Sequence, residues 1–284
     1  MTLKDTIFVL IHGSWHGGWA WHFVQDELLK QGYVSIAPDL PQSGFKASLP
    51  ASHQQLDFDM DKFIQEPSAT AKITMQDLTD CTLQAIDQAW ALDPKQVVVV
   101  GHSMGGMPLS FAGCAAPEKI SKLVYLAAIT PTAQRSAMDY LKLEAQQQDS
   151  LLSSLYLGNP KKIGALRINP RWFDAEYQAK IKQALAADID DQSWSNMVER
   201  LTPDAPASIY REQPVFSDAF HLIPNHHVIC SHDQALVPAL GQAIYDDMAQ
   251  SAHDICLHSL TSAHEPMLSM PAQLASLFID IAEG

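Results

Sequence analysis

The chain contains 284 residues, of which 47% are hydrophobic and 18% are charged. This composition is typical of a folded globular protein with a sizeable core, in one large α/β domain or two smaller ones. The formal net charge of −14 repels phosphate backbones and anionic lipid, so we expect neither nucleic acid nor a membrane surface as a partner.

The sequence also bears on the cellular compartment. No apolar run approaches the roughly 20 residues that a membrane span requires, and the first residues lack a secretory pattern. Four scattered cysteines predict reduced thiols rather than a disulfide framework or a zinc site. We therefore expect a cytoplasmic protein.

The first 129 residues alternate short apolar runs with amphipathic stretches. The apolar runs end in turn residues and predict buried strands: TIFVLI (6–11), YVSIAPDL (33–40), KQVVVV (95–100) and ISKLVYLAAI (120–129). The stretches between them have apolar residues at helical spacing and predict helices: WAWHFVQDELLK (19–30), TMQDLTDCTLQAIDQAWA (74–91) and MGGMPLSFAGCAA (104–116). This alternation indicates an α/β fold whose mostly parallel sheet carries helices on both faces.

The alternation stops after the fourth strand. The next residues are helical and amphipathic in pattern: AMDYLKLEAQQQ (137–148), AEYQAKIKQALAA (175–187) and QSWSNMVERL (192–201). Strand patterns resume in HHVIC (226–230) and DICLHSL (254–260), and PAQLASLFIDIAEG (271–284) predicts a closing helix. We predict a core of residues 1–129 and 222–284 with a helical cap inserted at 130–221. Residues 45–74 show no clear period and predict a long excursion.

A candidate nucleophile follows the third strand. Residues 101–105, GHSMG, match the pattern G-x-S-x-G between a predicted strand and a predicted helix. The small flanking residues permit a sharp turn that exposes the serine hydroxyl. A tight turn that merely requires glycines is the alternative interpretation. Because the strand and helix context is present, we interpret Ser103 as a nucleophile.

A serine hydroxyl needs a neighbouring base, and that base needs an orienting acid. In a sheet of this type, the acid and then the histidine follow the last strands in chain order. Asp233 follows HHVIC and His264 follows DICLHSL, so we predict them as acid and base. The alternatives are an ordinary turn aspartate and a surface-loop histidine. Three other aspartates are less suitable as the acid, because none lies just beyond a strand at the carboxyl edge of the sheet: Asp204, Asp218 and Asp254.

Attack on a carbonyl also requires stabilisation of the oxyanion that forms. Preorganised backbone N–H groups supply it. We predict one donor at Met104, directly after the nucleophile, and the other in the loop HGSWHGGW (12–19) after the first strand. In that loop Gly13 allows close approach of the backbone, and Ser14 is the expected donor. A strand-ending turn without chemistry is the alternative.

With these residues identified, the chain resembles the α/β-hydrolase superfamily along nearly its whole length. More narrowly, it is similar to the branch that holds plant methyl esterases, hydroxynitrile lyases and bacterial esterase relatives. The resembling segments are FVLIHGSWHGGWAW (8–21), VSIAPDLPQSG (34–44), VVVVGHSMGG (97–106), VICSHDQALVPAL (228–240) and SAHEPMLSMP (262–271). The resemblance implies an α/β-hydrolase fold with Ser103, Asp233 and His264 as the triad. It also implies that Ser14 and Met104 are the oxyanion donors.

Two positions distinguish this chain from the cyanohydrin-cleaving lyases of that branch. The resemblance implies that those lyases carry threonine at the position of Gly13 and lysine at the position of Glu265. A glutamate would oppose departing cyanide by Coulomb repulsion, so both departures favour ester hydrolysis. The alternative interpretation of Glu265 is a solvated loop residue. Gly13 and Trp15 are expected to contact the substrate.

Other aromatic and histidine residues have less specific patterns. Three tryptophans are expected to lie partly in the core: Trp15, Trp19 and Trp21. Four aromatic side chains of the predicted cap either line an acyl or alcohol pocket or pack the cap itself: Trp172, Phe173, Trp194 and Phe216. Metal-like histidine spacings occur at His12 with His16, and at His226 and His227 with His232. Neither set has a recognisable carboxylate or thiolate partner, so we expect no metal and interpret most histidines as surface residues.

These observations predict a carboxylic ester hydrolase that acts through an acyl-enzyme without a cofactor, on small to medium apolar or aromatic esters. The alternatives are a hydroxynitrile lyase-like or acyl-transfer reaction on the same triad, and a ligand-binding receptor on a hydrolase scaffold. A small-molecule ester is the expected partner. The oligomeric state stays open, with a homodimer as one alternative.

Overall fold

The computed structural model describes residues 3–171 and 174–284. Its strands in chain order are β1 (Thr6–Ile11), β2 (Val34–Ile36), β3 (Gln96–His102), β4 (Lys122–Leu126), β5 (Ala165–Arg167), β6 (Asp204–Pro206), β7 (Asn225–Cys230) and β8 (Ile255–Leu260). Six of them form one sheet in the order β2-β1-β3-β4-β7-β8, and all neighbouring pairs in it are parallel. The predicted α/β architecture is confirmed.

The helices connect and cover these strands. Before β4 lie α1 (His22–Lys30), α2 (Met60–Phe63), α3 (Met75–Trp90) and α4 (Gly106–Ala115). Between β4 and β7 lie α5 (Ala137–Tyr140), α6 (Glu144–Asp149), α7 (Leu152–Leu155), α8 (Pro160–Ile163), α9 (Ala175–Leu185), α10 (Asp191–Val198) and α11 (Asp218–His221). After β7 follow α12 (Pro238–Met248), α13 (Pro266–Ser269) and α14 (Pro271–Glu283).

Two apolar cores lie on the two faces of the sheet, because successive strand residues point to opposite sides. On one face Val9 and Val99 belong to a cluster with buried residues of α3, α4 and α12. On the other face Phe8 and Val98 belong to a cluster with buried residues of α1 and α14. Helices therefore cover both faces, as predicted.

The two edge strands are less buried than the inner ones, and for β2 this differs from the prediction of a buried strand. All three residues of β2 are only half-buried, and β8 exposes Cys256 and Leu257. An apolar run indicates a strand but not its position in the sheet order. Here β2 and β8 are the outer strands, so each has a neighbouring strand on one side only.

The segment between β4 and β7 contains the helices α5–α11 and one feature that the sequence did not predict. Strands β5 and β6 pair antiparallel, from Ala165 with Pro206 to Arg167 with Asp204. The predicted helix at 137–148 is divided into α5 and α6, because the backbone of Leu143 between them is not helical, with a ψ of 141°. The boundaries of the predicted cap, 130 and 221, stay predictions.

Residues 45–74 form short turns together with α2 and dock on the β5–β6 pair. The buried side chain of Arg167 makes two 2.7 Å hydrogen bonds to the carboxylate of Asp204. It also donates to the backbone carbonyls of Phe63 and Glu66. One buried guanidinium thus holds the excursion against the segment inserted after β4.

Across 3–171 and 174–284, no helix is both long enough and apolar enough to cross a membrane.

Candidate active site

Ser103 lies at the sharp turn between β3 and α4. Its φ of +53° is in the left-handed region, which costs a non-glycine residue about 1–3 kcal/mol and is characteristic of functional sites. A 3₁₀ turn at Ser103–Gly105 leads into the helix. The backbone carbonyl of Ser103 accepts a 3.0 Å hydrogen bond from the N–H of Ile129, which fixes the turn.

The glycines beside Ser103 are required by close packing. A Cβ atom at Gly101 would lie 2.6 Å from the carbonyl oxygen of Gly105. A Cβ atom at Gly105 would lie 2.7 Å from the carbonyl oxygen of Ile11 and 2.8 Å from that of His12. Real side chains essentially never show such distances, so the G-x-S-x-G pattern allows the turn to pack against the end of β1.

His264 and Asp233 meet at the ends of the last two strands. Nδ1 of His264 donates a 2.6 Å hydrogen bond to Oδ2 of Asp233, and both side chains are buried. Oδ1 of Asp233 accepts from the backbone N–H groups of Ala235 at 2.7 Å and Leu236 at 2.9 Å. Burial lowers the pKa of His264, but the charge and hydrogen bond of Asp233 outweigh it, so this pKa lies above its usual value.

The residues predicted for catalysis converge at the carboxyl ends of the parallel strands. Ser14 follows β1, Ser103 and Met104 follow β3, and His264 follows β8. These four residues line one cavity with about 360 Å³ of empty volume. Most of its remaining lining is apolar or aromatic: Ile129, Leu141, Leu152, Tyr156, Leu166 and Leu236. Within the described residues no hydrogen bond joins the Ser103 hydroxyl to His264, and such bonds commonly tighten only when substrate binds.

The loop after β1 is held by His12. Nδ1–H of His12 donates to the carbonyl of Gly13 at 2.8 Å, and the N–H of Leu40 donates to Nε2 of His12 at 3.1 Å. Both bonds fit one neutral tautomer, and burial lowers the pKa of His12 to about 4. The Gly13 carbonyl and the Ser14 N–H belong to the same peptide plane, so this bond orients the predicted oxyanion donor.

Gly13 and Trp15 occupy different places beside Ser103. A Cβ atom at Gly13 would lie 2.7 Å from Cβ of Ser103, so this position has no room for a side chain. Trp15 lines the cavity, and its Nε1–H donates to the carbonyl of Leu166 at 2.9 Å. The carbonyl of Trp15 accepts from the N–H of Thr202 at 2.8 Å. The loop is therefore tied to the segment inserted after β4.

Sequence reasoning missed several polar side chains at the site. Nε2–H of His102 donates to the backbone carbonyl of His264 at 2.9 Å, so it supports the loop that carries His264. Nδ1–H of His16 donates to the carbonyl of Ser14 at 2.7 Å. The Tyr210 hydroxyl lies 3.4 Å from that of Ser14. His16 belongs to the loop HGSWHGGW, which the sequence had already assigned to the site. Nothing in the sequence near Tyr210 indicated that its hydroxyl lies beside Ser14.

The expectation that most histidines lie on the surface is wrong. Only His232 and His253 are exposed, whereas five are buried: His12, His16, His102, His227 and His264. Burial lowers the pKa of His102 well below its usual value, and the nearby His264 and His16 act in the same direction. A buried imidazole with a lowered pKa, such as His102, is neutral and serves as a directional hydrogen-bonding group.

One group of side chains within the described residues brings metal-ligand atoms within 4.8 Å of one another: His102, His264 and Glu265. It differs from both histidine spacings noted in the sequence. Nδ1 of His264 is already bonded to Asp233 and Nε2 of His102 to the His264 carbonyl. A metal ion here would have to bind Nε2 of His264, the ring nitrogen that is not bonded to Asp233.

The interpretation of Glu265 as a solvated residue is also wrong, because its side chain is fully buried. Burial raises its pKa to about 8. The carboxyl is therefore mostly neutral at neutral pH, and the argument that its charge repels a departing anion does not apply there. The absence of space for a side chain at Gly13 still distinguishes this site from one with threonine at that position.

The remaining aromatic residues mainly pack the interior. Trp21 is fully buried in the core, and Trp19 is half-buried. Trp194 packs against the apolar cluster of the inserted segment, and Phe216 packs against Phe220 with ring centroids 5.0 Å apart. Neither lines the cavity beside Ser103. Trp172 and Phe173 lie outside the described residues.

The sequence of this chain matches a known protein family. A model of the Alpha/beta hydrolase family matches residues 8–277. The chain belongs to the alpha/beta hydrolase family. This hydrolase is of the esterase type, in the branch of the plant methylesterases, as the sequence predicted.

Two curated relatives of this hydrolase match over almost their whole length. Methylesterase 7 of Arabidopsis thaliana is 25% identical over 97% of this chain and 96% of its own. Salicylic acid-binding protein 2 of Nicotiana tabacum is 25% identical over the same shares of the two chains. Both matches extend across the core and the inserted segment.

Solved structures share the fold at lower identity. The crystal structure of polyneuridine aldehyde esterase aligns with a TM-score of 0.73 at 19% identity, covering 99% of this hydrolase and all of that chain. A pyrethroid hydrolase from Sphingobium faniae JZ-2 aligns with a TM-score of 0.72 at 19% identity, covering 98% of each chain. At these identities the likeness establishes the fold alone.

Proposed function

We propose that this hydrolase is a serine carboxylic ester hydrolase that works through an acyl-enzyme. The observation that supports the proposal most is the 2.6 Å bond from His264 to Asp233, in a site where His264 and Ser103 line the same cavity. That bond leaves Nε2 of His264 as the nitrogen that accepts a proton from the serine hydroxyl.

Acylation begins when Oγ of Ser103 attacks the ester carbonyl carbon and its proton passes to Nε2 of His264. The Asp233 carboxylate stabilises the imidazolium that forms. The N–H groups of Ser14 and Met104 hold the oxyanion of the tetrahedral intermediate. The bond to the alcohol oxygen then breaks, and His264 gives its proton to the departing alkoxide.

Deacylation repeats these steps with water as the nucleophile. His264 accepts a proton from water while the water oxygen attacks the acyl carbon on Ser103. The second tetrahedral intermediate collapses, the carboxylic acid leaves, and His264 returns the proton to the serine oxygen. The cycle consumes one water and one ester, and it releases one acid and one alcohol.

The substrate that fits this site is a small or medium apolar or aromatic ester. The cavity beside Ser103 is lined largely by apolar side chains, which favours apolar groups in the substrate. A relative is named a methylesterase, which favours a methyl or similarly small alcohol group. A cytoplasmic location and a homodimer stay predictions from the sequence.

A second candidate function is ligand binding without rapid turnover. Its support is that one relative with 25% identity is named a salicylic acid-binding protein. A lyase or acyl-transfer reaction on the same triad has weaker support. A threonine at position 13 would place its Cβ 2.7 Å from that of Ser103, so the hydroxyl-binding group implied for the lyases has no place here.

The test is a panel of esters that differ in acyl length and in the alcohol, including methyl esters, with a cyanohydrin beside them. Wild type, Ser103→Ala and the control Ser276→Ala, an exposed serine on α14, are compared. We expect ester hydrolysis by wild type and the control and a loss of at least about 10³-fold in Ser103→Ala. Full turnover by Ser103→Ala would refute the proposal, and tight binding with negligible turnover would favour the binding function.

A further inference from the structure

Glu265 is a buried acid that the mechanism above does not use. It follows the base His264 directly, and its side chain is fully buried. Neither of its carboxyl oxygens has a hydrogen-bond partner. An ionised carboxylate without a donor is too costly to bury, so such a group holds its proton instead. In that form it has one O–H donor that needs an acceptor.

The acceptor is the unpartnered nitrogen of His16. Nε2 of His16 lies 3.3 Å from Oε1 of Glu265, and it too is buried without a hydrogen bond. Burial lowers the pKa of His16 to about 3, so the ring is neutral. Because Nδ1–H already donates to the carbonyl of Ser14, the lone pair of the neutral ring is on Nε2. A small adjustment of the 3.3 Å separation forms the bond.

We propose that Glu265 is a positioning residue that acts in its protonated form: its O–H donates to Nε2 of His16, which holds the Ser14 carbonyl through Nδ1–H. This inference rests on the proposed function, because it assigns the pair to the oxyanion loop of that reaction. The opposite arrangement, a glutamate anion beside a histidine cation, would bury two charges where neither carboxyl oxygen accepts a hydrogen bond.

The consequence concerns the peptide groups on both sides of Ser14. His12 fixes the peptide that contains the Ser14 N–H through the Gly13 carbonyl, and His16 fixes the next peptide through the Ser14 carbonyl. With both planes held, the N–H direction is set before substrate arrives. Preorganised donors stabilise a developing oxyanion without reorganisation, so loss of the link from Glu265 lowers kcat more than it changes KM.

Ionisation of Glu265 removes the donor and adds a negative charge beside the triad. Burial raises its pKa to about 8, and His264 opposes this while Asp233 and Asp188 support it. The other titratable groups that face it are His16, His102 and Cys230. The wild-type kcat therefore rises with pH as His264 becomes neutral and falls again above about pH 8 as Glu265 ionises.

Two substitutions of Glu265 distinguish the loss of its hydrogen-bond donor from the gain of a negative charge. Glu265→Gln retains an N–H donor to His16 and cannot ionise, whereas Glu265→Leu has no donor. We expect Glu265→Leu to lower kcat by about tenfold or more with little change in KM, since small misplacements of catalytic groups have effects of this size. Glu265→Gln should retain kcat to within about threefold and show no decline above about pH 8. The exposed Glu212→Gln is the control and keeps the wild-type pH profile.

The same experiment includes readouts that do not need turnover. Infrared difference spectra at neutral pH should show a protonated carboxyl band in wild type that Glu265→Gln lacks, and the amide resonance of Ser14 should shift in Glu265→Leu but not in Glu265→Gln. An alkaline decline that persists in Glu265→Gln, equal damage by both substitutions, or no protonated carboxyl band would overturn the inference. Equal rates for wild type and Ser103→Ala would instead refute the proposed function, and the two spectra would still decide the state of Glu265.

Discussion

Replacing Glu265 with glutamine should change how the stability of the protein depends on pH. In the folded protein burial raises the pKa of this carboxyl to about 8 from an ordinary value of 4.5. The folded state therefore binds a proton that the unfolded state has released between these two pH values. This bound proton stabilises the folded state. The stabilisation is fully present below pH 4.5 and is lost progressively as the pH rises from 4.5 through 8.

The difference between the two pKa values corresponds to about 5 kcal/mol in the free energy of unfolding. Only part of this lies in a convenient range, so between pH 6 and pH 8 we expect wild type to lose about 2 kcal/mol relative to Glu265→Gln. Glu265 also contributes to the raised pKa of His264, so part of the difference between the two proteins comes from the titration of that histidine.

Urea unfolding at several pH values, followed by fluorescence and circular dichroism, measures the difference. The control Glu212→Gln alters an exposed carboxyl and should stay parallel to wild type. A constant difference between Glu265→Gln and wild type from pH 6 to pH 8 would refute the reasoning, because it would mean that Glu265 takes up no proton on folding.

Three further substitutions test other contacts. Gly13→Ala places a Cβ atom 2.7 Å from that of Ser103 and should lower kcat by about 100-fold. Kinetics like those of wild type would contradict this prediction, because they would show that the loop after β1 moves to accommodate the methyl group. Arg167→Met leaves the carboxylate of Asp204 buried without its partner and should lower the free energy of unfolding by about 3–5 kcal/mol. A loss below about 1 kcal/mol would contradict a structural role for this ion pair. Asp233→Asn removes the carboxylate that fixes the imidazole tautomer and should lower kcat by about 10⁴-fold, with KM nearly constant; a smaller loss in kcat than in binding would assign the acid elsewhere.

The sequence was sufficient to place the proposed catalytic residues at one edge of the sheet. Strand endings can be read from local patterns, and parallel strands bring their carboxyl ends to one edge of the sheet. Ser103 and His264 therefore line one cavity although 160 residues separate them in the sequence.

What the sequence could not predict depends on packing between distant segments. Glu265 resembles a loop residue by type, and its burial arises because His16 and His102 come together around it. The outer positions of β2 and β8 follow from the strand order, which an apolar run does not encode. The β5–β6 pair consists of two three-residue strands, too short for a period to be recognised.

The most direct test of the account is to identify the residue that carries the acyl group. Wild type is mixed with an activated ester such as p-nitrophenyl acetate, the reaction is quenched within the first turnover, and the acylated peptide is mapped by mass spectrometry. We predict an initial release of one nitrophenolate per protein and an acetyl group on Ser103, with neither in Ser103→Ala. An acetyl group on another side chain, or turnover by wild type with no covalent intermediate and no loss in Ser103→Ala, would contradict it.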